Sequence, residues 1–349
     1  MTDLRPLFLS RDAAALSVGA DAVAAALPSD RLTRTGSRGM LWLEPLLEVE
    51  TPEGRIGFGP LSATDAQRLL DTDFPDTDPT CLGRIADLPW MKVQRRVIFE
   101  RCGVIDPLDL DAFEARGGLA GLQAALKISG QEIVDMVTRS GLRGRGGAGF
   151  PAGIKWKTAA ETVADQKYIC CNADEGDSGT FADRMLMEGD PGQLIAGMII
   201  AGLAVGATRG FIYCRSEYPH AIATLNTAIS AWEARGWLGA DILGSGKAFE
   251  LKVRRGAGSY VCGEESAMLE SLEGKRGQVR VKPPIPAISG LFGKPTIVNN
   301  VLTLASVPWI LAQGGEAYAE IGHERSRGTQ AFQLAGNIRR GGMLEADFG

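Results

Sequence analysis

Between Gly141 and Pro191 the chain commits itself to one kind of local structure. The run GLRGRGGAGFPAGIKW sets Gly141, Gly144, Gly146, Gly147, Gly149 and Gly153 among two arginines and a lysine, with Lys157 directly after it. Glycines this dense let the backbone adopt φ > 0 and come close to a flat or phosphorylated ligand. Free N–H groups at such a turn, beside a helix start, favour anionic groups. The run KYICCNADEGDSGTFADR follows after a short spacer. It reads as a buried strand, Tyr168–Cys171, ending in Asn172, Asp174, Glu175 and Asp177. Strand ends are where open α/β sheets bind ligands. Together the two runs predict a nucleotide-type cofactor between a glycine loop and an acidic strand end.

The chain after Pro191 alternates. A helix is expected over 193–207, a strand over 210–214, an amphipathic helix over 219–235 and a strand over 249–254. This is the spacing of βαβ units and implies a parallel sheet covered by helices. The longest apolar run, Leu194–Ala207, is short of the ~20 residues that span a bilayer and reads as a buried helix. Gly144, Gly146 and Gly149 match GxGxxG. They follow a helix, Gly130–Arg139, announced by the capping pair Ser129 and Glu132, whereas the Rossmann fingerprint follows a strand. Gly244–Lys247 resembles a P-loop, but Ala248 and Asp241 stand at positions that need Ser/Thr and Gly.

GAGSYVCGEESAMLESLEG, starting at Gly256, is a second close-approach loop. Its Glu264 and Glu265 open a helix, where the dipole favours carboxylates by about 0.3–1 kcal/mol. Pro283, Pro284 and Pro286 make a rigid extended piece, and Asn299 and Asn300 precede another helix. Residues 1–95 read as a separate small α/β unit, with a helix over 12–27 and strands over 38–49 and 54–58. Residues 96–140 read as a helical connection, including one helix over 112–127. The net charge of −5 disfavours nucleic acid and anionic membranes as partners. Met1–Ser10 has no apolar signal segment. The six cysteines form no CxxC pair and there are two histidines, so no metal site is expected and a reducing cytoplasm is.

The two runs, the Gly256 loop and KPPIPAISGLFGKPTIVNNV, in this order, resemble the FMN- and NADH-binding flavin subunit of NADH dehydrogenases. That family includes the complex I 51 kDa subunit, the diaphorase subunit of NAD-reducing hydrogenases and the beta subunit of NAD-dependent formate dehydrogenases. The resemblance covers about residues 128–349. Residues 1–95 are similar to the thioredoxin-like domain of the formate dehydrogenase beta subunit, which makes that the favoured member. The implied fold is α/β: a thioredoxin-like domain, a Rossmann-like parallel-sheet FMN-binding domain over 141–328, and the start of a ubiquitin-like β-grasp domain over 329–349.

The resemblance also implies roles. Gly144, Arg145, Gly146 and Lys155 lie along FMN. Asn172, Asp174, Glu175 and Gly176 contact its ribityl chain and ring. Tyr260, Gly263, Glu264 and Glu265 line the flavin edge. Val298, Asn299, Asn300 and Thr303 hold the phosphate end. NADH stacks against Gly147, Ala148 and Phe150, with Asp177 and the catalytic Glu265 near its ribose or nicotinamide. Asp177 stands where many members have Glu, and Thr158 and Ile285 stand where many have adenine-stacking phenylalanines. The family relays electrons to a [4Fe–4S] cluster whose cysteine motif is absent here, so a chain cut short, with its last strands unpaired, is expected. Implied partners are a thioredoxin-like [2Fe–2S] gamma-type subunit and a molybdenum-containing catalytic subunit.

Overall fold

The computed structural model describes residues 5–349. The chain opens with β1 (Leu7–Ser10), α1 (Ala13–Ser17), α2 (Ala20–Ala25) and β2 (Leu32–Thr35). It continues with β3 (Leu47–Val49), β4 (Ile56–Phe58), α3 (Ala63–Asp71) and β5 (Cys81–Arg84). The sheet order is β2-β1-β3-β4-β5. β1 and β2 run parallel, and the other pairs are antiparallel. A βαβ unit followed by an antiparallel hairpin and a helix is the thioredoxin-like arrangement. Leu7, Leu9, Val23, Leu47, Phe58 and Leu69 fill its own core.

Three expectations for this region need correction. The helix over 12–27 is two helices, because Gly19 at φ 100° breaks it. Of the strand over 38–49 only Leu47–Val49 is extended, and Leu41–Leu43 is a turn of 3-10 helix. β1, β2 and β5 were not foreseen. LTRT and CLGR have too few apolar residues for a period to show.

Next come α4 (Pro89–Lys92), α5 (Leu110–Ala115), α6 (Ala120–Leu126) and α7 (Gly130–Arg139). The single helix expected over 112–127 is split at Gly117, φ 71°. These helices are more than a connection: Phe113, Leu122, Ile133 and Val137 lie in the main core. The Ser129–Glu132 capping box is formed.

The chain then runs through α8 (Ala152–Glu161), β6 (Tyr168–Ala173), α9 (Ala182–Gly189), α10 (Pro191–Val205), β7 (Arg209–Cys214) and α11 (Pro219–Ala234). It continues with β8 (Glu250–Arg255), α12 (Glu265–Leu272), β9 (Thr296–Asn300), α13 (Val301–Gln313) and α14 (Gly315–Ala319). β6–β9 form a parallel sheet in the order β8-β7-β6-β9. The chain winds outward from β6 to β8 and then returns to the other side of β6. The order therefore reverses between β6 and β9, and a crevice opens at their carboxyl ends, where such sheets bind ligands. α10 is apolar all round and buried over nearly its whole length. A Cβ on its Gly197 would lie 2.1 Å from the Leu304 carbonyl oxygen, so α10 and α13 touch backbone to backbone. That contact fixes the start of α13 at the crevice.

Two short strands, β10 (Gly322–His323) and β11 (Ser326–Arg327), precede the hairpin of β12 (Thr329–Leu334) and β13 (Gly342–Asp347). The last strands are not unpaired, contrary to expectation. β12 and β13 pair along their whole length. The buried Glu345 carboxylate accepts the N–H groups of Val97, Ile98 and Phe99 at 3.0 Å each, tying the hairpin to the segment before α5. Among the described residues, no helix is long and apolar enough to cross a membrane.

Candidate cofactor site

Two adjoining cavities occupy the crevice, of about 490 and 680 Å³. They share Gly146, Asn172, Gly263, Glu264 and Asn300, so they form one cleft with a waist. Either volume lies within the ~300–1,000 Å³ of cofactor pockets.

The glycine loop makes one wall. It is closed by the Gly144 N–H donating to the Phe150 carbonyl and the Ala152 N–H donating to the Leu142 carbonyl, both at 2.9 Å. Gly147 (φ 108°) and Gly149 (φ 60°) take the left-handed turn that other residues resist. A Cβ on Gly146 would lie 3.1 Å from the Asn300 Cβ, so a side chain there would crowd the waist. Gly144, Ala148, Phe150 and Lys155 face the first cavity and Gly147 the second. Arg145 departs from expectation. Its guanidinium turns inward and donates to the carbonyls of Arg143, Arg327 and Thr329 and to the Tyr318 hydroxyl. Its backbone N–H donates to Thr303 Oγ1 at 2.8 Å, which keeps the Thr303 side chain behind the wall. Arg145 therefore braces the loop, and its side chain is not aimed at a ligand.

The end of β6 makes the floor. Asn172 Nδ2 donates to the Gly263 carbonyl at 2.8 Å and joins the floor to the turn before α12. Asp174 is nearly buried, and its pKa is pushed up to about 6 by that burial, with Arg215 opposing. Glu175 sits at φ 39°. Its carboxylate accepts the N–H groups of Asp183 and Arg184 and the Tyr218 hydroxyl. It thus caps α9; the expected flavin contact is left to its backbone. Tyr260 is 72% exposed and lies over Gly176, where a Cβ would meet the ring at 2.9 Å. The Tyr260 hydroxyl donates to Asp177 at 2.7 Å, so the two residues hold the mouth together.

The start of α12 brings in the charges. Glu264 caps the helix, accepting the N–H groups of Ser266 (2.8 Å) and Ala267 (2.9 Å). Partial burial would raise its pKa. The Ser266 hydroxyl, Lys282 and the Ala267 N–H outweigh burial and hold it at about 2. Glu265 lies 2.9 Å from both Lys155 and Lys282. Burial opposes its ionisation, but the two ammonium groups hold its pKa below the usual range. Lys155 Nζ also sits 3.4 Å from the Val298 carbonyl oxygen and 5.8 Å from the centre of the Phe150 ring.

The end of β9 completes the cleft. Asn299 differs from expectation, since its Oδ1 accepts the buried Trp156 Nε1–H at 2.9 Å. Its side chain ties β9 to α8 at the edge of the first cavity. Asn300 caps α13 through Leu302 N–H at 2.9 Å, and its Nδ2 donates to Asp183 at 2.6 Å. Ile285 lines the first cavity; Thr158 does not and bonds to its own helix. Sequence reasoning missed Lys282, Asp183 and Trp156. Only Lys282 carried a signal, a cation directly before the rigid Pro283-Pro284.

Residues 137–309 match the family of the Nuo51 FMN-binding domain. Over 258 residues the chain is 50% identical to the HndC component of the NADP-reducing hydrogenase of Solidesulfovibrio fructosivorans, covering 74% of this chain and 52% of that one. Over 254 residues it is 48% identical to a component of the NADH-quinone oxidoreductase of Rhizobium meliloti, covering 72% and 60%. The chain belongs to the Nuo51 family of flavin proteins. A crystal structure of NAD+-reducing [NiFe]-hydrogenase in the H2-reduced state matches 99% of this chain and 59% of that chain, with a TM-score of 0.61 and 31% identity. The chain thus spans little more than half the length of these relatives. The cleft suits the flavin of the Nuo51 family on its own geometry. Glycine backbone lines it where a Cβ would crowd, the first turn of α13 faces it, and Lys155 and Lys282 supply cations on one side.

Proposed function

We propose that this chain holds FMN in the cleft between β6 and β9 and exchanges a hydride between NAD(H) and that flavin. The observation that carries the reading is the state of the carboxylates. Glu264 and Glu265 are held ionised by caps and lysines, and no histidine or thiol lines either cavity. The first cavity therefore offers no proton donor among its carboxylates but can position two rings face to face, about 3–3.5 Å apart, as hydride transfer requires. Bound FMN supplies the hydride acceptor.

The chain's residues do the rest. Gly144 and Gly146 let the ring approach the loop. Lys155, Asn172, Asp174, Gly263 and the backbone of Glu175 and Gly176 orient it. Val298, Asn299 and Asn300, with the first turn of α13, face the phosphate end, and Thr303 braces the glycine loop from behind. Gly147, Ala148 and Phe150 offer the face on which NADH stacks, and the Tyr260–Asp177 pair borders its entry. Glu265, poised between Lys155 and Lys282, orients the nicotinamide.

The wider setting is the NAD-linked redox complex of the cytoplasm, with electrons passing between FMN and the iron–sulfur clusters of partner subunits. The thioredoxin-like unit favours the beta subunit of a soluble formate dehydrogenase, with a [2Fe–2S] gamma-type subunit and a molybdenum subunit as partners. A specific observation also favours a hydrogenase diaphorase: the solved NAD+-reducing hydrogenase matches 99% of the chain, the thioredoxin-like unit included.

Purification with added FMN, a visible spectrum and an NADH–ferricyanide assay test the site. The expected result is a yellow protein that NADH bleaches, with turnover. A folded, colourless and inactive chain would instead make it a docking scaffold. Assay of the native complex with formate and with hydrogen as donors separates the two settings.

A further inference from the structure

We infer that Asp183 is a positioning residue: its carboxyl group fixes the Asn300 amide, and through it the first turn of α13, against the phosphate end of the ligand. The inference rests on the reading that this end of the cleft takes a phosphate. The geometry is direct. Asp183 opens α9 and lines the second cavity beside Gly146 and Asn300. Its carboxyl Oδ2 accepts Asn300 Nδ2–H at 2.6 Å. The same amide's oxygen accepts Leu302 N–H at 2.9 Å. With both ends held, the amide cannot flip, and one donor of the α13 first turn is already satisfied. The remaining N–H groups of that turn stay available to an anion.

The position is unusual for an acid, because an ionised carboxylate here would repel a phosphate. Two carboxyl groups that repel one another, Asp183 and Glu175, border the second cavity. Burial pushes Glu175 up as well, but it accepts two α9 N–H groups and the Tyr218 hydroxyl, all of which favour its charged form and offset that burial. Asp183 is buried and receives one hydrogen bond among the described residues, from Asn300. Burial first, then Glu175, push its pKa well above the usual carboxylate range. Of the pair, Asp183 therefore keeps the proton. The other titratable groups around it are the Cys171 and Cys214 thiols, both pushed up by burial and so neutral, and Arg184, which flanks Glu175. A protonated Asp183 holds Asn300 without placing a negative charge at the anion end.

The test is FMN affinity of the cofactor-stripped full chain, read by flavin fluorescence from about pH 6 to about pH 9, with riboflavin as a ligand that lacks the phosphate. Wild-type affinity for FMN should fall as pH rises and Asp183 ionises. D183N, which keeps the acceptor and cannot ionise, should match wild type at low pH and change only as FMN's own phosphate titrates. D183A should weaken FMN by about tenfold at every pH, by loss of the bond that holds Asn300. Riboflavin should respond little in all three. FMN's own phosphate titrates alike in every variant, so the difference between profiles isolates the side chain. Melting curves confirm that the variants fold. A D183N profile that slopes with wild type, a flat wild-type profile, or a riboflavin response equal to that of FMN would overturn the inference. A folded wild-type chain that binds neither flavin would overturn the FMN reading itself, a distinct outcome.

Discussion

The two larger sheets of this protein end their first strands in the same way and use that end differently. β1 leads to Asp12, which caps α1 through Ala15 N–H at 2.9 Å. β6 leads to Asn172, Asp174 and Glu175. Past β1 the space is filled. Glu188 of α9 accepts Ala13 N–H at 2.7 Å, and Arg184 of the same helix lies 3.9 Å from both Asp12 and Glu188. Past β6 the space is hollow, because the strand order reverses there and glycines replace side chains. Parallel topology offers a site in both places, and occupancy by the chain's own side chains decides which one is available. α9 serves both ends: Glu175 caps its first turn, and its last turn plugs the other sheet.

The comparison breaks most easily with pH. Past β1, Glu44 and Glu188 are buried acids whose pKa values are raised to about 8 and about 7, in both cases chiefly by burial. Their folded values lie above the unfolded ones, so their stabilising contribution is present below about pH 4.5 and is lost as pH rises through about 7–8. The junction between the two units should loosen by several kcal/mol between mildly acidic and alkaline pH. Melting measured across that range should show the fall, and E44Q should flatten it. An alkaline chain that melts as it does in acid would mean that the plugged end is not held by neutral carboxyls.

The hollow end is broken next by filling it. G146V would drive a branched side chain toward Asn300 at the waist. FMN affinity should fall by about 100-fold, the equivalent of the ~1–3 kcal/mol that overpacking costs, while melting changes little. A smaller effect is expected from E265Q. It removes the charge between Lys155 and Lys282, and NADH–ferricyanide turnover should fall by about tenfold with flavin retained. Loss of flavin instead would move Glu265 from the nicotinamide to the cofactor itself.

The same contrast explains what the sequence could disclose. Long elements with clear punctuation, such as α7 behind Ser129, α10 behind Pro191 and β6–β8, stand within a few residues of expectation, whereas β9 was not foreseen. Their period and caps are local properties of the chain. The short strands of the first sheet were hidden, because four residues of mixed polarity carry no period. At the site, the stretches were readable and the side-chain directions were not. Arg145, Glu175 and Asn299 belong to the right segments, yet their polar ends satisfy α9, Trp156 and the carbonyls of residues 143–329. Which way such a side chain points depends on partners outside its own segment, for Arg145 and Asn299 more than a hundred residues away in sequence. Asp183 was invisible for the same reason, since its importance lies in facing Asn300.

The smallest effect sharpens the comparison further. Each unit carries one capping box, Ser62–Asp65 at α3 and Ser129–Glu132 at α7, with both reciprocal bonds formed. The motif is the same, so S62A and S129A should each cost about 1 kcal/mol of helix stability. The consequences should differ. α3 packs only in the core of the first unit, whereas α7 packs through Ile133 and Val137 into the main core and leads directly into the glycine loop. S62A should therefore lower melting and leave FMN affinity unchanged. S129A should lower melting by a similar amount and also weaken FMN measurably, because a frayed α7 frees the loop that ends at Phe150. Equal FMN affinity in the two variants would mean that the Arg145 brace alone sets the loop, independent of the helix before it.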